Sequence, residues 1–386
     1  MLLEIFACVS ISVIVLLAKL SWWRKRCNRF IPNGQPSFFN PLGGIFDYDG
    51  FEISGKKYAV HLSIISAFRK WSNTFRKFPL FCEWLTYVPF VLIHKSEAVK
   101  DLLQVKKNIE KELGLLLPSP ILRKRSFTWL PHRLQRTLAQ VRPEYLMKET
   151  DNEFTIVDEL ISLSTLDIVC ECIMGVNIGA FENKSKQYVE SLHRTIIEER
   201  KQRYLNGETA EDSSRYKSLL EVLLKLHIED QVLDEEGVRQ EVDTFIIAGH
   251  DTVATTIKWT LYLIGLHPEV QEKIHQELDS VLEGDAQRPL SVDDLSDLKY
   301  LDCVLKNKLF RMKINNYSKI MRWLYAPKGA SAIVMTYFLH RDEEVFPDPE
   351  KFNPDRFLPE YKNKIPECAY VPFGAGPRNC IGKDCN

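Results

Sequence analysis

The chain of 386 residues has no excess of either charge: 51 Lys and Arg stand against 52 Asp and Glu, a formal net charge of −1. That balance removes any global electrostatic case for binding nucleic acid, and no nucleic-acid partner is expected. Cysteine is thin, with nine in the chain, and no CxxC pair or histidine cluster completes a zinc site. Both a disulfide scaffold and a zinc module are therefore disfavoured, and mostly reduced, buried thiols in a cytosolic domain are expected. There is no repeat of fixed period and no long Gly/Ser tract, which excludes solenoid and linker-divided architectures. What is present is ordinary globular composition, 45% apolar, 11% aromatic and 27% charged, enough for one large core.

Long hydrophobic runs are scarce, and the one that stands out is at the amino end. From Leu2 to Trp23 only Glu4, Lys19 and a few serines interrupt it, a length sufficient for a membrane-spanning helix. Arg24, Lys25, Arg26 and Arg29 follow directly, so the positive-inside bias puts the amino end in the lumen and the body in the cytosol. A cleaved signal peptide would carry its basic cluster on the other side, so residues 1–23 are expected to be an uncleaved anchor. Residues 24–44 then form a basic, proline-rich linker with Pro32, Pro36 and Pro41, stiff enough to orient a domain over a membrane.

Residues 45–386 are expected to form one domain that is mainly α with a small β sheet. Residues 155–175 are dense in Ile, Leu, Val and Cys, as in a buried helix. Residues 213–229 carry a helical leucine stripe, and the longest candidate runs from Asp234 to about Leu266, before His267-Pro268. Pro268 stands in first-turn position of a further amphipathic helix. Strand signals are limited to residues 331–338 and Phe90 to His94.

The strongest chemical signal is near the carboxyl end, where Phe373, Gly376, Arg378, Cys380 and Gly382 stand in the pattern F-x-x-G-x-R-x-C-x-G. A cysteine in a glycine-rich turn can receive backbone N–H groups, which stabilise a thiolate, and a thiolate is a metal ligand. Glycines let the backbone approach a flat, bulky partner, and Arg378 offers a fixed charge for a carboxylate on it. Cys380 with Cys385 could instead start a zinc site, but nothing completes one. The pattern resembles the haem-binding loop of the cytochrome P-450 superfamily.

A second segment, Ala248-Gly249-His250-Asp251-Thr252, lies inside the long helix, where glycine beside Asp-Thr is locally unfavourable and needs a reason. It is similar to the superfamily's A/G-G-x-D/E-T motif, on the helix that crosses the distal face of the haem. The resemblance implies that Asp251 and Thr252 are catalytic and relay protons, with Ala248 and Gly249 lining the oxygen pocket. The Pro- and aromatic-rich stretch through Phe346, Phe352, Arg356 and Phe357 is similar to the segment before the haem loop, with Arg356 in an ionic triad. Its wording is most like the fourth P-450 family of fatty-acid omega-hydroxylases.

The resemblance implies the P-450 fold behind an amino-terminal transmembrane helix, and haem b held by Cys380 as axial thiolate. Phe373, Gly376, Arg378 and Gly382, with Ala248 and Gly249, would line the cofactor. It further implies dioxygen as co-substrate, a lipophilic substrate, electrons from an NADPH-dependent P-450 reductase, and the endoplasmic reticulum membrane as location. Three departures set a rival reading beside it, a truncated, non-catalytic copy with impaired haem binding. Asn307 and Phe310 occupy the places of the family's E-x-x-R pair, which leaves Arg356 expected to lack both partners. Trp129 and Arg133 fit a propionate-binding spacing, but Pro131 lies between them. The sequence ends six residues after Cys380, short of the helix and hairpin that follow in the family, so the carboxyl part is expected to be truncated. Alanine at 248 offers no carboxyl for the ester link to haem found in many fourth-family members.

Overall fold

The computed structural model describes residues 2–28, 31–34, 38, 40, 52–53, 56–57, 68–104, 157–176, 178–180, 186–207, 218–285, 288, 291–311, 315–319, 331–376 and 379–385. They fall into two compact units, Met1–Leu113 with Leu309–Asn379, and Gly114–Lys308 with Cys380–Asn386. In chain order the helices are α1 (Leu2–Cys27), α2 (Ser96–Gln104), α3 (Asp158–Met174), α4 (Lys186–Leu205), α5 (Leu219–Ile228), α6 (Glu235–Gly265) and α7 (Pro268–Val281). They continue as α8 (Val292–Asp297), α9 (Lys299–Arg311), α10 (Thr336–Leu339) and α11 (Pro359–Lys362). The strands are β1 (Glu52–Ile53), β2 (Lys56–Lys57), β3 (Leu80–Leu85), β4 (Val88–Ile93), β5 (Asn315–Lys319) and β6 (Ser331–Met335). The protein is mainly helical with a small sheet.

In the first unit, α1 contains a stretch, Ile5–Cys27, long and apolar enough to cross a membrane, with mean hydropathy 2.2. The helix continues four residues past Trp23, and its last turns dock on the β3–β4 hairpin. Trp23 meets Trp84 edge to face at 5.6 Å, the Ser21 hydroxyl lies 3.1 Å from the Tyr87 hydroxyl, and Arg24 donates to the Thr86 and Asn40 carbonyls. Arg24 is 1% exposed, so the first of the basic residues after the apolar run is buried in the junction.

The sheet runs in the order β3-β4-β6-β5, antiparallel at both ends and parallel between β4 and β6. Its alternation is clean. Leu80, Cys82, Trp84, Val91, Ile93, Ala332 and Val334 enter one cluster, and Phe81, Leu92, Ile333 and Met335 enter another. Successive side chains of a strand point to opposite faces, so the sheet is buried on both, as its parallel pairing requires. The β6 strand ends at Met335, shorter than the expected 331–338. From there the buried residues Thr336, Leu339 and His340 fall at helical spacing, and the His340 N–H donates to the Thr336 carbonyl.

The second unit is a helical pack. Leu219, Leu220, Leu223, Leu224 and Leu226 of α5 join Leu166, Val169, Cys170 and Ile173 of α3 and Val238, Val242, Phe245 and Ile246 of α6 in one core. Each helix begins or ends where its local chemistry directs. Asp234 accepts from the Gly237 N–H at the start of α6, Ser218 caps α5, and Pro268 opens α7. The chain leaves α3 at Gly175, whose φ of +73° suits glycine. The Glu277 carboxylate on α7 accepts from the N–H groups of Tyr300 and Leu301, which fixes the start of α9.

Candidate active site

The α6 helix is unbroken from Glu235 to Gly265, and its middle has two unlike sides. One side packs on α3. A Cβ built on Gly249 would lie 3.2 Å from Val169 Cγ1, so the room that glycine provides is used for close approach of α3. Next to it, His250 Nδ1 lies 3.0 Å from Thr165 Oγ1, and Lys258 bonds the Ser162 hydroxyl at 2.7 Å and the Asp158 carboxylate at 2.6 Å. The other side is exposed and carries Ala248, Asp251 and Thr252, continuing through Trp259 and Tyr262. There the Thr252 hydroxyl donates to the Ala248 carbonyl at 2.6 Å. A helical threonine bonded back to the i−4 carbonyl keeps its oxygen on the helix surface with a lone pair outward.

Cys380 is exposed, and Ile381, its neighbour, packs against the core cluster formed by α3, α5 and α6. The Cβ position of Gly382 lies 3.8 Å from the Cys380 sulfur, so glycine keeps that side of the sulfur open. In the first unit the loop before it is held by backbone geometry. Gly374 and Gly376 have φ of +69° and +75°, and a Cβ on Gly376 would come within 2.9 Å of Leu103 Cδ2. The Val371 N–H donates to His340 Nε2 at 3.0 Å, which tethers the loop's start below α10. Phe373 is half-buried. Arg378 lies outside the described residues, as do Trp129 and Arg133. Among the described residues, no group of three or more His, Cys, Asp or Glu is placed to hold a metal ion.

Arg356 corrects an expectation. It is not left uncompensated: Nε donates to the Asn353 carbonyl, and the terminal nitrogens donate to those of Pro347, Asp348 and Lys351 at 3.0–3.2 Å. It is also only half-buried, so the cost of a charge stripped of its partners does not arise. The guanidinium ties the Phe346–Phe357 meander together through these four carbonyl oxygens. Asn307 is fully buried on α9.

Sequence reasoning missed three residues that hold this machinery in place. His250 fills the unspecified position of its motif, yet it faces α3. His340 tethers the loop at Val371. Lys95 forms a buried pair with Asp342, 3.0 Å apart with side chains 9% and 7% exposed, and reaches Glu344 at 2.6 Å. Each contact joins positions far apart in the chain, and no local pattern announces it.

The cytochrome P450 family profile matches residues 180–384. Cytochrome P450 4V2 of Mus musculus is 34% identical over 393 residues, covering 81% of this chain and 74% of that relative. The chain belongs to the cytochrome P450 family. Within it the relatives belong to the fourth family: cytochrome P450 4V2 of Homo sapiens is 32% identical over 81% of this chain and 75% of its own length. Cytochrome P450 4c3 of Drosophila melanogaster is 31% identical over 78% and 72%. Family membership makes this P450 a haem-dependent monooxygenase that takes electrons from a redox partner and acts on lipophilic substrates in general.

Proposed function

We propose that this P450 is a membrane-anchored monooxygenase that binds haem b with Cys380 as the axial thiolate and inserts one oxygen atom from dioxygen into a lipophilic chain, a fatty acid being the leading candidate. The observation that carries the reading is the exposed side of α6, which presents Ala248, Asp251 and Thr252 together. The residues present suit the cofactor: a surface thiol with an open flank at Gly382, and an open helix face ending in small side chains. When bound, the haem would supply activation of dioxygen, with Cys380 as its thiolate ligand. The protein's own contribution is positional and protonic. The Thr252 hydroxyl, held at the Ala248 carbonyl, keeps one proton on the helix face; Asp251, exposed one residue earlier, can take a proton from solvent and pass it on. Phe373, Gly376 and Arg378 would pack against or pair with the cofactor's periphery, and Ala248 would border the oxygen site; Gly249, expected beside it, spends its room on the approach of Val169 instead.

In this reading residues 1–23 anchor the chain in the endoplasmic reticulum membrane, residues 24–44 connect, and residues 45–386 form the haem domain in the cytosol. An NADPH-dependent reductase on the same membrane would supply the electrons. The apolar length of α1 supports the anchor. Thr252→Val tests the protonic role. The variant should keep consuming reducing equivalents while hydroxylated product falls about a hundredfold, the usual worth of a positioned proton donor. Product formation at the parent rate would remove Thr252 from the mechanism. A second reading, a non-catalytic family member that binds haem poorly, has Asn307 and Phe310 in its favour, and failure to load haem into folded chain would select it.

A further inference from the structure

We infer that His250 is a positioning residue: its hydrogen bond to Thr165 on α3 sets the rotation of α6 that turns Ala248 and Thr252 to the open side. The Thr165 hydroxyl is buried and lies within donating distance of the Ile161 carbonyl at 2.8 Å and the Ser162 carbonyl at 3.0 Å. Its single proton can serve one acceptor only, and when a carbonyl takes it the hydroxyl oxygen accepts from the imidazole. In that arrangement His250 Nδ1 is the donor, 3.0 Å from Thr165 Oγ1.

The position of that bond gives it leverage. At 3.6 residues per turn, two residues along a helix is about 200° of rotation, so Ala248 and Thr252 stand almost diametrically opposite His250. Any roll of α6 about its axis moves the Thr252 hydroxyl off the open face by the same angle. The contacts on either side of His250 restrain less. Gly249 against Val169 is an apolar approach that limits distance and tolerates small rolls. Lys258, two turns on, makes an exposed ion pair with Asp158 whose long side chain can follow a roll. The part-buried His250–Thr165 bond is directional, so it is the contact that selects one angle. This inference rests on the proposal that Asp251 and Thr252 serve the reaction, and it adds a residue no part of that proposal requires.

The test uses the full chain and three variants, His250→Leu, His250→Asn and Thr165→Val. Asparagine's amide nitrogen can replace Nδ1 as donor, whereas leucine only fills space. The first readout is hydrogen exchange at the backbone of residues 247–254, measured with and without haem. His250→Leu and Thr165→Val should each speed exchange there about two- to tenfold, the worth of one hydrogen bond, and His250→Asn should restore it. The second is the fraction of reducing equivalents recovered as hydroxylated product instead of hydrogen peroxide. It should fall in His250→Leu and Thr165→Val and recover in His250→Asn, with the carbon monoxide band unchanged. Unchanged exchange in His250→Leu, or equal loss of product yield in the Leu and Asn variants, would overturn the inference. Should no variant or parent load haem, the functional proposal fails and the exchange result alone decides the positioning.

Discussion

The two units hold their candidate residues by different means. In the second, the middle of α6 is set by close packing and one part-buried hydrogen bond, Gly249 on Val169 and His250 on Thr165. In the first, the approach to the cysteine loop is held by buried and half-buried cations, Lys95 on Asp342 and Glu344, and Arg356 on four carbonyls. A helix offers neighbours at a fixed distance, so a missing side chain is enough to locate it. A meander without regular hydrogen bonding has unsatisfied carbonyls, and long cationic side chains are the groups that can gather them.

The contrast is open to perturbation, and the first unit should be the more sensitive. Asp342→Ala leaves the Lys95 ammonium buried with only exposed Glu344 beside it; we expect a loss of about 3–5 kcal/mol in unfolding free energy, read by denaturant titration. A loss under about 1 kcal/mol would mean that Lys95 finds water, and the cation-based half of the contrast would go. In the second unit, Gly249→Val drives a branched side chain into Val169 and should cost about 1–3 kcal/mol. Gly249→Ala sets a tight 3.2 Å contact against the better helix propensity of alanine, worth about 1 kcal/mol, so its net effect should be near zero. Equal costs for Val and Ala would show that packing distance is not what the glycine serves.

A further effect in the first unit concerns pH. Burial, then the neighbouring Lys95 charge, push His94 down from its ordinary 6.5 to about 4. The unfolded chain therefore takes up a proton near pH 6.5 that the folded chain refuses until about pH 4. Stability should fall as pH drops through that window and level off below it. In His94→Gln the slope between pH 6.5 and 4 should be shallower; an unchanged slope would assign it to other groups.

Much of this was legible in the residues themselves. The long helix was expected from Asp234 to about Leu266 and runs from Glu235 to Gly265, because a capping aspartate and a following proline mark its ends. The α3 and α5 helices likewise follow dense apolar runs. The β3 strand was missed, because Leu80 to Trp84 is buried on both faces and shows no alternation of polar and apolar. For the candidate site, glycines and the cysteine were readable because their chemistry is local. The partners of His250 and Lys95 were not, since contacts across tens to hundreds of residues leave no spacing signature. Arg356 is the instructive case: its missing partners in the sequence suggested an orphaned charge, and backbone carbonyls, which no sequence displays, satisfy it.

Cys380 is proposed to hold the haem iron as a thiolate. That ligation is tested most directly by loading the full chain with haem, reducing it and exposing it to carbon monoxide, beside a Cys380→Ser variant. The account predicts the red-shifted absorption band of a thiolate-bound haem in the parent chain and its loss in the variant. A folded parent chain without the band, or a variant that keeps it, would contradict the claim.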